Sequence, residues 1–164
     1  GRRTIFNLLG PLCNPAGVDQ QLMGVFAPQP VPLMAAALLQ LGSRSALVVH
    51  GQGFDEVAIS GETTAMALGD GRLTQHNITP EAAGLPRHLA EALQGGSPDY
   101  NAQRLKALLA GQQDAYRDMV LLNAAAALRV VRPGLTLPQG VAQAAAAIDS
   151  GAAADILARW IAFR

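Results

Sequence analysis

The feature that most constrains the fold is a pair of short apolar runs separated by one helix-length segment. Residues 22–26 and 46–50 have the length and composition of buried strands. Between them, Pro32 lies near the start of an apolar segment that Gly42 ends, which is typical of a helix. Two strands joined through a helix by short links form a βαβ unit, so we expect these strands to be parallel.

The remaining chain predicts one strand, a hairpin and several helices. Residues 57–59 are predicted to form a short strand, and residues 64–68 and 72–78 flank a glycine-rich hairpin turn. Asp99 and Asp114 are predicted helix N-caps. Helices are predicted at 86–94, 99–110, 114–131, 138–149 and 151–162. We therefore expect an α/β fold with a central, mostly parallel sheet flanked by helices, an antiparallel hairpin and a helical C-terminal part.

Composition narrows the class of protein. The 164 residues are enough for one domain with a sizeable core, and half of them are apolar. Twelve basic residues balance twelve acidic ones, so charge provides no argument for nucleic acid or an acidic membrane surface as a partner. Cys13 is the only cysteine, which excludes an intrachain disulfide and fits a cytoplasmic setting. No signal peptide or membrane span is predicted, and the absence of an initiator methionine indicates a piece of a longer chain.

Two adjacent carboxylates, Asp55 and Glu56, follow the second strand of the βαβ unit. Neighbours on a regular strand point to opposite faces, so both side chains serve one site only on an irregular backbone, which Gly51 and Gly53 permit. Carboxylates at the carboxyl end of a buried strand suit Mg²⁺, which prefers oxygen ligands. The same spacing also fits a solvated turn with two surface acids, and both interpretations stay open.

Other polar residues carry weaker signals. His50, at the end of the second strand, is interpreted as a histidine satisfied by backbone groups. Asn123, in an apolar helix, is interpreted as a packing or interhelix hydrogen-bonding residue, and Cys13 as an inert thiol. Residues 7–16 predict a rigid loop with fixed φ angles at its prolines and a close approach permitted at Gly10. That loop is either a wall for a flat apolar ligand or a structural connector.

Several of these segments together resemble the signature of the anthranilate phosphoribosyltransferase family. The similarity runs in family order to the end of the chain and covers about the second half of the family's length. Cys13 departs mildly from the pattern. The matching segments are residues 3–16, 21–25, 48–51, 55–57, 121–126 and 148–151. The resemblance implies that residues 1–164 are the C-terminal portion of the α/β catalytic domain, without the family's N-terminal helical domain.

The resemblance also implies an activity and a set of site residues. The family transfers a phosphoribosyl group from 5-phosphoribosyl 1-diphosphate to anthranilate in tryptophan biosynthesis, releasing diphosphate, with Mg²⁺ as cofactor. Asp55 and Glu56 match its metal-binding acidic pair, and Gly10 and Pro11 match a wall of its anthranilate channel. No residue of this chain matches a covalent catalyst. The family is homodimeric, and neither nucleic acid nor membrane is an expected partner.

Other segments of the family pattern are absent from this sequence. These are the glycine-rich phosphate loop, the Lys-His-Gly-Asn segment and a metal-binding serine, while the anthranilate-binding arginine is expected just upstream of Gly1. We therefore expect the two carboxylates to be exposed and metal-free here, and the 164-residue chain to be inactive alone. The alternatives are a non-catalytic remnant, a pyrimidine-nucleoside phosphorylase relative and a nucleic-acid-binding relative of the same fold.

Overall fold

A computed structural model describes residues 9–163 as one mixed sheet with helices on both faces. The predicted segment at residues 7–16 therefore lies partly outside the described residues. The strands are β1 (Gln20–Gly24), β2 (Ser45–Gly51), β3 (Thr63–Gly69) and β4 (Arg72–Ile78). The helices are α1 (Pro30–Gln40), α2 (Pro98–Leu109), α3 (Ala115–Val131), α4 (Leu137–Asp149) and α5 (Ala152–Ala162).

The α/β class and the βαβ unit are confirmed, but the sheet is not mostly parallel. Its order is β1-β2-β3-β4, and only the β1–β2 pair is parallel among these strands, while β2–β3 and β3–β4 are antiparallel. The reason is the connection between β2 and β3. Residues 52–62 contain no helix, and a parallel return requires a longer crossover. The predicted hairpin is confirmed, with positive φ at both Asp70 and Gly71 of its turn.

Two local predictions are wrong because the backbone groups in these segments form hydrogen bonds with residues that are distant in sequence. Residues 57–59 are fully buried but form no strand. Residues 86–94 form only the short 3-10 turn Ala90–Leu93, since the His88 N–H donates to the Ile59 carbonyl (3.1 Å) instead of to a helix. Asp114 caps α3 as predicted, whereas the cap of α2 is Ser97 and not Asp99, because Pro98 already occupies the first helical position.

β2 is buried on both faces because its side chains alternate between two helices. Leu47 and Val49 pack with residues of α3, and Ala46 and Val48 pack with residues of α1. The helical residues that meet β2 include Met119, Leu122, Ala125 and Ala126 on α3, and Val31, Met34, Ala35 and Leu38 on α1.

Among residues 9–163, no helix combines the length and apolar character needed to cross a membrane.

An ion pair that is buried on its arginine side joins the start of α3 to the end of α4. Arg117 is 3% exposed, and its Nη2 donates to both carboxylate oxygens of Asp149, at 2.8 and 2.9 Å. A buried guanidinium requires such a partner, since its charge loses most of its hydration. The pair therefore holds α4 against α3.

Replacing Asp149 with alanine should destabilise the protein more than breaking a surface pair does. We expect Asp149→Ala to lower the free energy of unfolding by about 1–3 kcal/mol, because a buried charged donor loses its acceptor. The matched control is Asp19→Ala, which breaks the exposed Arg44–Asp19 pair and should cost less than about 1 kcal/mol. Urea unfolding of the three proteins measures the difference, and equal losses would contradict a structural role for the Arg117–Asp149 pair.

Candidate metal and substrate site

The acidic pair lies where the sequence predicts it, on a loop at the carboxyl end of β2. Gly51 and Phe54 exchange both backbone hydrogen bonds (3.0 and 2.8 Å) and so close a tight turn. The two central residues, Gln52 and Gly53, have φ angles of +43° and +92°, the pattern of a type I′ turn. The turn requires a positive φ at Gly53, as predicted, whereas Gly51 remains the last residue of β2.

Close packing holds the backbone of this loop against the ends of β1 and β2. A Cβ atom placed on Gly24 would overlap the carbonyl oxygen of Asp55. A Cβ on Gly51 would lie 2.6 Å from both N and Cβ of Ala58. These two glycines therefore let the loop lie directly on the sheet. Gly24 is not among the residues predicted for this site, although a glycine inside a strand signals such a close approach.

The segment that follows the acidic pair has backbone groups whose hydrogen-bond partners are side chains and not a neighbouring strand. Asn123 Oδ1 accepts from the Val57 N–H and Asn123 Nδ2 donates to the Val57 carbonyl, both at 2.9 Å. Asn123 Nδ2 also donates to the Met119 carbonyl on the same helix, at 3.0 Å. The Ala58 N–H donates to Thr63 Oγ1 at 2.9 Å. These backbone groups of residues 57 and 58 are thus satisfied without a strand partner.

His50 connects the end of β1 to the turn. Its Nδ1 lies 2.8 Å from the carbonyl oxygen of Val25, which can only accept, so Nδ1 carries the proton and donates. Its Nε2 then accepts from the Gly53 N–H at 3.4 Å. The interpretation of His50 as a histidine satisfied by backbone is confirmed, and the ring acts as a brace for the turn.

Both carboxylates are exposed, as predicted, and neither has a hydrogen-bond or ion-pair partner among residues 9–163. The pKa of Glu56 is raised, first because surrounding protein atoms remove part of its solvation and second because the charge of Asp55 is adjacent. A cation beside the two side chains would oppose both effects, because its charge favours the ionised form of each carboxyl group. The electrostatics of the free chain therefore favour a bound cation at this position.

The donor set fits Mg²⁺, but as part of a site. Within the described range 9–163, no group of three or more His, Cys, Asp or Glu side chains is arranged to hold a metal. Mg²⁺ is commonly held by one or two carboxylates, with waters and phosphate oxygens completing its shell. Asp55 and Glu56 can supply two of the protein ligands of such a shell.

Gly10 and Pro11 lie on a separate segment of the chain, before β1. They begin the 3-10 turn Gly10–Cys13 and are both exposed. A Cβ on Gly10 would meet no heavy atom within 4 Å, apart from its neighbours in the chain, in the part of the protein that the structure describes. Leu12 anchors the turn by packing on the α1 side of the sheet. The turn thus presents an open face, and its assignment to substrate remains a prediction.

Glu56 should lower the stability of the metal-free protein at neutral pH. Because its folded-state pKa is raised above the ordinary value of 4.5, the folded state binds the proton more tightly than the unfolded state. Stability from this group is therefore greatest below pH 4.5 and falls as pH rises through the folded-state pKa. We expect Glu56→Gln, which cannot ionise, to raise the Tm at pH 7 and to change it less near pH 4, below the ordinary pKa of 4.5.

The matched control is Glu91→Gln, which removes one negative charge from the exposed turn Ala90–Leu93. Thermal unfolding of the three proteins across this pH range, without divalent cations, measures the effect. A Tm gain for Glu56→Gln that is equal at both pH values, or equal to that of the control, would contradict the electrostatic explanation.

The chain is similar in sequence to a known protein family and to individual enzymes. The profile of the "Glycosyl transferase family, a/b domain" matches residues 1–154. A curated relative, the anthranilate phosphoribosyltransferase of Rhodopseudomonas palustris (strain BisB18), is 57% identical over 161 residues, which are 98% of this chain and 48% of the relative. The chain therefore spans about half the length of the curated relatives that it matches.

Two solved structures share the fold. Anthranilate phosphoribosyltransferase from Thermus thermophilus superposes with a TM-score of 0.90 at 43% identity, covering 99% of this chain and 48% of that one. The Saccharomyces cerevisiae enzyme in complex with PRPP and Mg has a TM-score of 0.82 at 28% identity, covering 92% and 44%. With the profile match over residues 1–154, these similarities show that the chain belongs to the glycosyl transferase family and carries its a/b domain.

Proposed function

We propose that residues 1–164 are the C-terminal portion of the α/β catalytic domain of an anthranilate phosphoribosyltransferase. One observation carries the proposal. Two carboxylates without a partner among residues 9–163, Asp55 and Glu56, lie on a closely packed loop, in a chain whose fold matches an enzyme solved with PRPP and Mg. The relatives described above favour this branch over a pyrimidine-nucleoside phosphorylase, and the balanced charge argues against nucleic-acid binding.

The proposed reaction joins anthranilate to 5-phosphoribosyl 1-diphosphate as a step of tryptophan biosynthesis. The amine nitrogen of anthranilate forms a bond to C1 of the ribose, the bond from C1 to diphosphate breaks, and the amine loses a proton. An aromatic amine is a competent nucleophile once it is positioned, so the reaction needs no covalent intermediate on the protein. We accordingly assign no catalytic nucleophile to this chain.

Asp55 and Glu56 are the proposed Mg²⁺ ligands. Bound Mg²⁺ would neutralise the negative charge that develops on the departing diphosphate. The turn at Gly53 and the close contact at Gly24 keep the backbone of the two acidic residues in a fixed position. Gly10 and Pro11 are the proposed contacts with anthranilate, and their exposure leaves room for a flat ring.

The family resemblance also supports a homodimer and a cytoplasmic location. We propose both for the protein at its natural length, together with the absence of nucleic-acid and membrane partners. The net charge of zero agrees with the last two points.

Removing both carboxylates should abolish most of the activity of the full-length protein. We expect Asp55→Asn combined with Glu56→Gln to lower turnover about 100-fold or more at low Mg²⁺, because neutral amides bind a hard cation weakly and leave the diphosphate charge uncompensated. Asp99→Asn combined with Glu91→Gln removes two other exposed acids as a control and should retain normal turnover. Near-normal rates for the first variant at low Mg²⁺ would refute the metal assignment.

The 164-residue chain on its own should form no measurable product. Its acidic loop provides only part of a metal shell within residues 9–163, and the family's phosphate-binding segments are absent from the sequence. The test is an assay for phosphoribosylanthranilate with purified chain, both substrates and Mg²⁺, alongside the full-length protein. Turnover by the short chain within about tenfold of the full-length rate would show that these residues hold a complete site.

A further inference from the structure

We propose that Asn123 is a positioning residue that sets the geometry of the acidic pair for its metal; this inference rests on the proposed function. Asn123 lies on α3 and contacts Val57, the residue directly after Glu56. Its amide both accepts from the Val57 N–H and donates to the Val57 carbonyl, at 2.9 Å each. The side chain thus imitates the hydrogen bonding of a neighbouring strand.

The orientation of this amide is held by a third hydrogen bond. Asn123 Nδ2 also donates to the Met119 carbonyl, one turn earlier on α3, at 3.0 Å. The assignment of oxygen and nitrogen is therefore determined, since Nδ2 faces two carbonyls and Oδ1 faces an N–H. Val57 is fully buried, so no water can replace the amide without opening the core.

The consequence for Asp55 and Glu56 comes from where the loop is fixed. On one side, the Asp55 carbonyl lies against Gly24 at the end of β1. On the other side, Val57 is tied to α3 through Asn123. Asp55 carries the first anchor and only Glu56 lies between it and Val57, so the anchor on α3 sets where the Glu56 carboxylate lies relative to that of Asp55.

Asn123 forms hydrogen bonds with backbone groups. It therefore needs no contact with metal or substrate to position the acidic pair. Its loss should weaken metal binding by letting the loop shift, while the chemistry at saturating metal persists. Residues that orient metal ligands typically contribute 10–100-fold in metal affinity. We therefore expect the effect in the Mg²⁺ concentration that gives half-maximal turnover and not in kcat at saturating Mg²⁺.

The test uses Asn123→Ala and Asn123→Ser in the full-length protein, and measures Mg²⁺ binding to the substrate-free protein by titration calorimetry beside the Mg²⁺ dependence of turnover. Asn123→Ala removes every side-chain hydrogen bond to Val57, and Asn123→Ser keeps a neutral hydroxyl that is too short to bind both the N–H and the carbonyl of Val57. The serine variant provides a second test should the alanine variant unfold. Both should raise the half-saturating Mg²⁺ concentration about tenfold or more, with kcat at saturating Mg²⁺ changed less than about threefold.

The chain offers a matched control at Asn101. This residue makes the same pair of bonds to a single residue, accepting from the Gly96 N–H (2.9 Å) and donating to the Gly96 carbonyl (3.2 Å), on a different loop. Asn101→Ala should leave the half-saturating Mg²⁺ concentration unchanged. It thereby separates a general loss of stability from a loss of metal affinity.

Three outcomes would overturn the inference. They are an unchanged Mg²⁺ dependence for both Asn123 variants, an equal loss of turnover at every Mg²⁺ concentration, or an equal shift for Asn101→Ala. The double variant of Asp55 and Glu56 distinguishes this from failure of the proposed function. If the double variant leaves the Mg²⁺ dependence unchanged, the proposed function fails; if it removes that dependence while the Asn123 variants do not shift it, only the role of Asn123 fails.

Discussion

The structure depends on the hydrogen bonds of one fully buried backbone segment that belongs to no strand. Residues 57–59 lie in the core between the sheet and α3, where an unsatisfied peptide group would be costly. Asn123 and Thr63 supply the missing partners, and the His88 N–H reaches the Ile59 carbonyl. Because these partners come from α3, β3 and the segment after β4, one short stretch ties together elements that are distant in sequence.

This arrangement explains the mixed sheet. After β2, the chain turns through Gly53, carries the acidic pair past the end of β1, and then returns through the core to β3. The return is too short for a helical crossover, so β3 must run antiparallel to β2. The irregular segment that interrupts the parallel pattern is therefore the same segment that presents Asp55 and Glu56 to solvent.

The loop is closely packed, yet its two side chains repel each other. Its backbone lies against Gly24 and Gly51 with no space for a Cβ atom, whereas its carboxylates have no partner among residues 9–163. The raised pKa of Glu56 shows that the free chain bears an electrostatic cost at this point. A closely packed backbone that carries unneutralised charge suits the proposed cation site, because binding there would need no reorganisation of the loop.

The sequence alone determined the features that depend on neighbours along the chain. Apolar periodicity and terminating glycines located the strands β1 and β2 and the helices from α1 to α5 apart from a residue or two at their ends, and Asp114 was identifiable as a cap. The acidic pair and its position after β2 also followed from local pattern, and the family from the resemblance of its motifs.

Tertiary structure decided what depends on distant partners. Residues 57–59 have the composition of a strand, but Asn123 and Thr63 satisfy their backbone instead, and the His88 backbone bond prevents a helix at 86–94. Local pattern marks Asn123 as an amide in an apolar helix and contains no information on which backbone it meets. Its contact with the residue after Glu56 exists only because the fold brings α3 against the acidic loop, since β3, β4 and α2 all lie between the two in sequence.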